Sequence, residues 1–434
     1  MATERRIIRC TVCKARIALR ILIGHLERHP ILLVCPKCRI DIPGEIEIDQ
    51  EAIAFRFRFT NGEDVVGEDI DNAEYYAEVS GELLTEKLRT LPDGKVPPFF
   101  SPMFKAMAEM GDESFERYSH LVVGFIHQSR EYWPQIKRTN ELWNNGQHEH
   151  CKNELRSLGL PEDRYPLSND LEMLKAMKHL NVNFIGAILP EGFFSHDADA
   201  ISGTILGLCD TQKEQLRALA RRLKDNGKLR RCRELFVSRV DHFIQTFPHL
   251  VPVFSAAYYK APEAQVLQEK GLFTGSLRTL SQYYIDSYEN LIEMADGIVA
   301  LNNLIHRNDY NAMRPLRKDV VALDDYARLQ KGDRLQFIIN ADEDFGDCLG
   351  PYINNRVRNS IGHGSTRFDP ITQQLDFYSG LAQTTPAVSK YLTEFANDCR
   401  LTLQGLFRLM EVNTWLERIS LFDEGQHPSP LRGW

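Results

Sequence analysis

The chain has 434 residues, of which 43% are hydrophobic and 26% are charged, and its formal net charge is −8. This composition is ordinary for a globular protein, and the length predicts two to four domains at roughly 100–200 residues each. No apolar run approaches the ~20 residues of a membrane helix, and the N-terminus lacks the pattern of a signal peptide. We therefore expect a cytoplasmic protein that does not bind a membrane.

Four of the nine cysteines form two Cys-x-x-Cys pairs near the N-terminus, with 21 residues between the pairs. Two residues between cysteines let both thiolates reach one ion from a single tight turn, and two such turns complete a tetrahedral shell. We expect Zn²⁺ to be bound by Cys10, Cys13, Cys35 and Cys38. Because four ligands leave no open position for water, this zinc would be structural. His25 and His29 are then interpreted as surface residues.

Residues 40–59 alternate between apolar and polar side chains, which predicts strands with one buried face. Pro43-Gly44 and Asn61-Gly62 are interpreted as turns. Cysteine pairs followed directly by strands resemble the zinc ribbons, and the resemblance covers about the first 60 residues. We therefore predict a small β zinc ribbon over residues 1–60.

The charge is distributed unevenly along the chain. Residues 1–40 carry a net charge of +7, whereas residues 61–86 hold nine acidic side chains and no basic one. A second basic segment, residues 213–240, again carries +7. Such patches can bind phosphate groups, although a solvated helix face is an equally good interpretation. The basic N-terminus could bind nucleic acid, an acidic protein surface, or the acidic segment of the chain itself.

From about residue 100 onward, helical spacing of apolar residues dominates, so the predicted fold is mostly α. Residues 61–100 are interpreted as an acidic connector, 101–270 as a helical middle domain, 275–422 as a helical bundle and 423–434 as a tail. Residues 211–240 predict two charged helices separated at Asn226-Gly227. The last long helix is predicted to begin with Thr385 as its N-cap and Pro386 in its first turn.

Residues 355–364 combine arginine, asparagine and histidine at the predicted end of a short helix, closed by a glycine suited to a left-handed conformation. On an ideal helix Arg356, Asn359 and His363 share a face, and Arg358 lies off it. Histidine can accept the proton of a ribose 2′-OH or protonate the leaving 5′-oxygen. Arginine can stabilise the phosphate charge that grows in the transition state. A helix end with solvated side chains is the alternative.

Arg358-Asn359-x-x-x-His363 resembles the Arg-x4–6-His motif of the HEPN superfamily, with a polar residue after the arginine. The flanking helical stripes agree with a HEPN bundle over about residues 275–422. The resemblance implies a metal-independent endoribonuclease whose two motifs meet across a homodimer interface, as in many bacterial toxins and abortive-infection effectors. Arg358 and His363 would be catalytic and Asn359 supporting, with Arg356 the second choice for the arginine. Some relatives carry a tyrosine two residues after the histidine, where this chain has Ser365.

The predicted role is therefore RNA cleavage in defence against phage, with the middle domain sensing a phage trigger or another protein, or holding RNA. The competing hypothesis is a non-catalytic regulator, in which the bundle dimerises the chain and the zinc ribbon binds nucleic acid or protein. His148, His150 and Cys151 also cluster in the sequence. Their spacing matches no familiar metal site, so a polar surface loop is the preferred interpretation.

Overall fold

The computed structural model describes residues 2–49, 54–65, 73–92, 100–186, 188–189, 199–339, 344–380 and 383–428. Helices account for 57% of the chain and strands for 17%, which confirms the mostly α prediction. The chain forms two compact units, each assembled from three segments. The first unit comprises residues 1–126, 243–285 and 355–400, and the second comprises residues 127–242, 286–354 and 401–434.

The N-terminal part of the first unit consists of strands. They are β1 (Ala2–Cys10), β2 (Arg16–Ile23), β3 (Arg28–Val34), β4 (Asp41–Asp49), β5 (Ala54–Phe59), β6 (Gly62–Asp64), β7 (Tyr75–Ser80), β8 (Thr85–Glu86) and β9 (Arg89–Thr90). One sheet has the order β6-β1-β2-β7-β9, with β7 parallel to β2 and the other pairs antiparallel. A second, antiparallel sheet has the order β3-β4-β5.

The predicted alternation over residues 40–59 is observed in β4 and β5, where Ile46 lies opposite Phe57. Pro43-Gly44 does not form the predicted turn but lies inside β4. Gly44 faces Phe59 across the strand pair, and a Cβ atom there would lie 2.4 Å from the Phe59 ring, so the glycine provides space for the aromatic side chain. Asn61 has a φ of 59° and forms the predicted turn before β6.

The segment predicted as an acidic connector contributes β7 to the larger sheet. Tyr76, Ala77 and Val79 are all buried there, although Glu78 lies between them. Lys105 forms an ion pair with Glu78 and a second, 2.9 Å long, with Glu86. The one acidic side chain of β7, Glu78, is thus compensated by a cation from a helix, and the strand is internal to the sheet.

The helices of the first unit pack around an aromatic cluster. The elements of this region are α1 (Pro102–Met110), α2 (Asp112–Glu131), α8 (Lys228–Phe254), α9 (Glu263–Glu269), the short strand β10 (Lys270–Gly271) and α10 (Leu277–Met294). Unit boundaries fall inside α2, α8 and α10. The ring of Phe125 lies 4.6 Å from that of Phe247 and 5.8 Å from that of Phe243. Such pairs contribute about 0.5–1.5 kcal/mol each beyond the burial of their area.

The C-terminal part of the first unit contains α14 (Asn355–Gly362), β11 (Thr366–Asp369), β12 (Gln374–Phe377), β13 (Val388–Tyr391) and the start of α15 (Leu392–Asp423). The three strands form an antiparallel sheet in chain order. The predicted start of the last helix at Thr385 is wrong, because residues 388–391 pair with β12 and α15 begins at Leu392. Phe395 of α15 packs its ring 5.6 Å from that of Phe377.

The second unit is helical in the part of it that the structure describes. Besides segments of α2, α8, α10 and α15, it contains α3 (Trp133–Asn144), α4 (His148–Ser157), α5 (Asp170–Gly186), α6 (Asp199–Thr211), α7 (Lys213–Asp225), α11 (Asp296–Arg307), α12 (Leu323–Arg328) and α13 (Lys331–Ile338). The predicted separation of two charged helices at Asn226-Gly227 is confirmed, with Gly227 in the left-handed region at a φ of 69°. Within the described ranges, none of these helices is both long and apolar enough to cross a membrane.

Candidate metal centre and candidate active site

The two cysteine pairs lie in two matching turns. The first turn joins β1 to β2, and the second joins β3 to β4. In each, the backbone N–H of the first cysteine donates to the carbonyl five residues further on, at 2.9 Å. The residue after the second cysteine is left-handed in both turns, with φ values of 62° at Lys14 and 61° at Arg39. These turns direct all four sulfur atoms towards one point.

The four Sγ atoms lie within 4.8 Å of one another. Cys10 Sγ is 3.6 Å from Cys38 Sγ, and Cys13 Sγ is 3.4 Å from Cys35 Sγ, so each short pair joins the two turns. Zn–S bonds of about 2.3 Å in a tetrahedron place sulfur atoms about 3.8 Å apart, which is close to this spacing. Burial raises the pKa of the Cys35 thiol to about 12, and a bound dication would offset the cost of its ionisation. The cluster is compatible with a metal site.

The two histidines between the cysteine pairs do not join this cluster. Among the described residues, the group of possible metal ligands consists of the four cysteines alone. Nδ1 of His25 lies 3.1 Å from Oε1 of Glu82. His29 is not the surface residue predicted, because only 1% of it is exposed. Burial lowers the pKa of His29 to about 4, so its imidazole is neutral near pH 7.

The predicted arginine and histidine segment forms the short helix α14, and Gly364 follows it with the expected left-handed φ of 65°. Val357 and Ser360 form the buried side of the helix. Arg356 is exposed, Arg358 and Asn359 are half-buried, and His363 is exposed just beyond the last helical residue. The backbone N–H of His363 still donates to the carbonyl of Asn359 at 2.9 Å, which holds the histidine to the end of the helix.

Arg358 extends along the helix towards His363. Its Nη1 donates to Oδ1 of Asn359 at 3.2 Å. The same Nη1 lies 3.8 Å from the position that a Cβ atom would take on Gly362, the residue directly before His363. The guanidinium therefore lies beside the end of the helix, at ordinary contact distance from Gly362. Asn359 orients the guanidinium, while Arg356 is exposed two residues nearer the start of the helix.

Buried hydroxyl groups fix the turn that carries His363. Ser360 Oγ donates to the carbonyl of Ser365 at 3.0 Å and accepts from the backbone N–H of Tyr378 at 3.0 Å. Ser365 Oγ donates to the carbonyl of Tyr378 at 2.8 Å. Ser360 and Ser365 are 0% and 6% exposed, so these bonds are shielded from water. Ser365 thus holds the turn in place, a role that its local sequence pattern does not predict.

Gln373 connects the hairpin after this turn to the N-terminal strands. Its side chain is buried, and it accepts from the N–H of Leu272 at 2.8 Å and donates to the carbonyl of Leu272 at 3.0 Å. The next residue, Phe273, accepts from the N–H of Leu32 in β3 at 2.7 Å. The hydrogen bonds of Gln373 and Phe273, joined by the peptide bond between Leu272 and Phe273, therefore connect the strand that precedes Cys35 to the hairpin that follows His363.

His148, His150 and Cys151, which are close in the sequence, form no metal-ligand group among the described residues, as their spacing suggested. His148 begins α4 and does not lie in the predicted surface loop. Its Nδ1 is 2.7 Å from Oδ1 of Asp170. Cys151 is fully buried, and its thiol points towards the carbonyl of Thr139 at 3.6 Å. Burial raises the pKa of Cys151 to about 12, so it is an unreactive core thiol.

No protein-family model, no curated protein and no solved structure matches this chain.

Proposed function

We propose that the chain is a metal-independent endoribonuclease of HEPN type, with Arg358 and His363 as its catalytic residues. The observation that supports this proposal is the arrangement at the end of α14. There the imidazole of His363 is exposed, and the guanidinium of Arg358, which donates to Asn359, lies beside Gly362. The buried serines hold this turn rigidly, and catalytic groups need such positioning.

The chemistry follows from these two side chains. The His363 imidazole accepts the proton of the ribose 2′-OH, and the 2′-oxygen attacks the adjacent phosphorus. The bond from phosphorus to the 5′-oxygen then breaks, and the leaving oxygen takes a proton from an imidazolium. Arg358 stabilises the negative charge that accumulates on the phosphate oxygens. The products are a 2′,3′-cyclic phosphate and a 5′-hydroxyl, and no metal takes part in the step.

The proposed assembly is a homodimer in which the α14 turns of two copies form one composite site. The second copy's His363 would supply the proton for the leaving group. The proposed role is cytoplasmic RNA cleavage during abortive infection, triggered by a phage component or another protein. Zn²⁺ bound by the four cysteines would brace the N-terminal strands, and the path through Gln373 would extend that support to the hairpin beside the active site.

The proposal is tested by an RNA-cleavage assay in EDTA with the full chain, with the zinc content measured before and after chelation. Wild-type protein that retains zinc should cleave the RNA. The rate of RNA cleavage by His363→Ala should be lower by a factor of roughly 10²–10⁴. His150→Ala is the matched control, because His150 is also exposed but lies on α4. Equal cleavage by wild type and His363→Ala would refute the assignment. Light scattering should find at least a dimer.

A second candidate function is binding without catalysis, and the surface of the cysteine turns favours it. Val12 at the tip of the first turn is 60% exposed. Lys14, Lys37 and Arg39 are also exposed on the same two turns. An apolar tip with basic neighbours suits nucleic acid or an acidic protein surface. Under this hypothesis His363→Ala has no effect, whereas Val12→Ser with Lys37→Ala abolishes binding.

A further inference from the structure

The larger sheet of the first unit carries a group of arginines on one of its two faces. Successive side chains of a strand point to opposite faces, and one face of β1 and β2 is apolar and belongs to a buried core. The opposite face holds four arginine side chains, and we call it the arginine face: Arg5 and Arg9 on β1, Arg16 and Arg20 on β2. Arg5 is exposed and the other three are half-buried, so a ligand can reach this face.

The arginines lie opposite one another in two pairs. Arg5 is directly opposite Arg20, and Arg9 is directly opposite Arg16. Residues in such positions have Cβ atoms about 4.5–5.5 Å apart, and like charges at that distance destabilise a sheet. Glu63 offsets one charge of the second pair, because its Oε2 lies 2.9 Å from Nη2 of Arg9. A local rule broken twice on one face indicates a functional surface.

The carboxylate nearest to the first pair along the sheet does not balance its charge. Glu78 on β7 is the strand partner of Arg20, but it already forms an ion pair with Lys105 and accepts from the hydroxyl of Tyr76 at 2.8 Å. Nε of Arg20 is buried and has no acceptor among the described residues. Burial and then the charge of Arg5 lower the pKa of Arg20. The two arginines thus repel each other, and an anion bound between them would relieve the repulsion.

Two exposed aromatic rings lie at the end of the arginine face, where helix α1 begins. Thr3 of β1 shares the face with Arg5, and its Oγ1 lies 2.9 Å from Oγ of Ser101, the N-cap of α1. Phe100 directly precedes this serine and is 71% exposed, and Phe104 follows one helical turn later and is 59% exposed. Exposed aromatic rings beside cations are the usual platform for the bases of a single-stranded nucleic acid.

We propose that this surface binds single-stranded RNA, with phosphates at the arginine pairs and unpaired bases stacked on Phe100 and Phe104. Arginine binds phosphate through two parallel hydrogen bonds, and any base can stack on a phenyl ring, so the surface would not read sequence. The arginines favour a polyanion, and the adjacent rings favour nucleic acid over an acidic protein. The bases of a duplex are not open to stacking, which favours a single strand. The choice of RNA over DNA rests on the proposed ribonuclease function.

The test measures binding of the full chain to a fluorescently labelled RNA by anisotropy, at several salt concentrations. All 2′-hydroxyl groups of the RNA are methylated, so cleavage cannot interfere. Arg5→Gln with Arg20→Gln should lower the affinity roughly tenfold or more, and the slope of log affinity against log salt should shrink by about 1.4, since each phosphate contact contributes about 0.7. Phe100→Ala with Phe104→Ala should also lower the affinity roughly tenfold or more, but with an unchanged salt slope, because stacking is not ionic.

Arg56→Gln with Arg58→Gln is the matched control, because it removes the same charge from exposed positions of β5 in the other sheet. Its affinity for the RNA should stay close to that of wild type, and thermal melts should show that all variants are folded. Undiminished binding by either of the first two variants, or an equal loss in the control, would overturn the proposal. Tighter binding of polyglutamate, or of a DNA strand of the same sequence, would overturn it as well.

The outcome for this surface is separable from the outcome for the proposed active site. Wild-type protein that binds the methylated RNA through these residues but leaves unmodified RNA intact would refute the ribonuclease proposal alone. Cleavage of unmodified RNA, together with undiminished binding by the arginine and phenylalanine variants, would refute the binding surface alone.

Discussion

Replacement of His29 by leucine should weaken the dependence of folding stability on pH. His29 is 1% exposed in the first unit, and burial lowers its pKa from the ordinary value of 6.5 to about 4. The unfolded chain therefore binds a proton at a pH where the folded chain does not, and stability falls as the pH falls. The stability that the neutral, buried His29 allows is fully present above pH 6.5 and is lost progressively as the pH approaches 4.

The magnitude follows from the difference of about 2.5 pKa units, which corresponds to about 3 kcal/mol at low pH. Between about pH 7 and about pH 5 the same two pKa values give a loss of about 2 kcal/mol. Urea unfolding at these two pH values measures it. His29→Leu should lose about 2 kcal/mol less stability than wild type over this interval, because its folded and unfolded states do not differ in proton binding at this position.

His150→Leu is the control for this experiment, because His150 is exposed. The folding stability of His150→Leu should depend on pH as strongly as that of the wild-type chain. If wild type and His29→Leu lose the same stability between the two pH values, the reasoning about the buried imidazole is refuted. A direct titration of the His29 ring by NMR that gives a pKa near 6.5 would contradict it equally.

Three further predictions concern the two sites. Cys35→Ser should lose the bound ion that wild type retains in metal analysis; wild-type protein without zinc would contradict the metal assignment. Gln373→Ala leaves the N–H and carbonyl of Leu272 without their buried partners, so urea unfolding should show a loss of about 1–3 kcal/mol in stability. Unchanged stability would show that Gln373 does not stabilise the contact between the hairpin and Leu272. Arg358→Ala should reduce RNA cleavage by roughly 10²–10³, whereas Arg356→Ala should change it little. The opposite result would make Arg356 the catalytic arginine.

Local patterns predicted the parts of the fold in which one periodicity dominates. The clustering of the four cysteines, the alternating strands β4 and β5, and the break at Gly227 were predicted correctly, because each follows from a short local pattern. β7 was missed because its acidic neighbours suggested a solvated segment. The compensating cation is Lys105, which lies 27 residues from Glu78, and no local pattern identifies that pair.

The start of α15 shows a similar competition between local and tertiary preferences. Thr385 and Pro386 form a good helix-start sequence, yet residues 388–391 extend the sheet by pairing with β12. Burial of Leu375 and Phe377 on β12 favours this pairing over an earlier helix start. Intrinsic preference is a weak guide wherever a neighbouring strand offers hydrogen bonds and an apolar face.

The candidate active site was only partly predictable. The helix and its closing glycine follow from the residues of α14, and both are observed. The hydrogen bonds of Ser360, Ser365 and Gln373 were missed, because serine and glutamine are common surface residues and their burial depends on distant segments. The exposure of Val12 was also unexpected, and it gives the binding hypothesis a specific surface to test.

The most direct test of the proposed activity is the chemical identity of the RNA ends that wild-type protein produces. The test uses an RNA oligonucleotide and the same oligonucleotide with a single 2′-deoxy nucleotide on the 5′ side of the mapped cut. Mass spectrometry should find a 2′,3′-cyclic phosphate and a 5′-hydroxyl, and the 2′-deoxy substrate should resist cleavage at that position, because the 2′-oxygen is the nucleophile. Products with a 3′-hydroxyl and a 5′-phosphate, or equal cleavage of both substrates, would contradict the account.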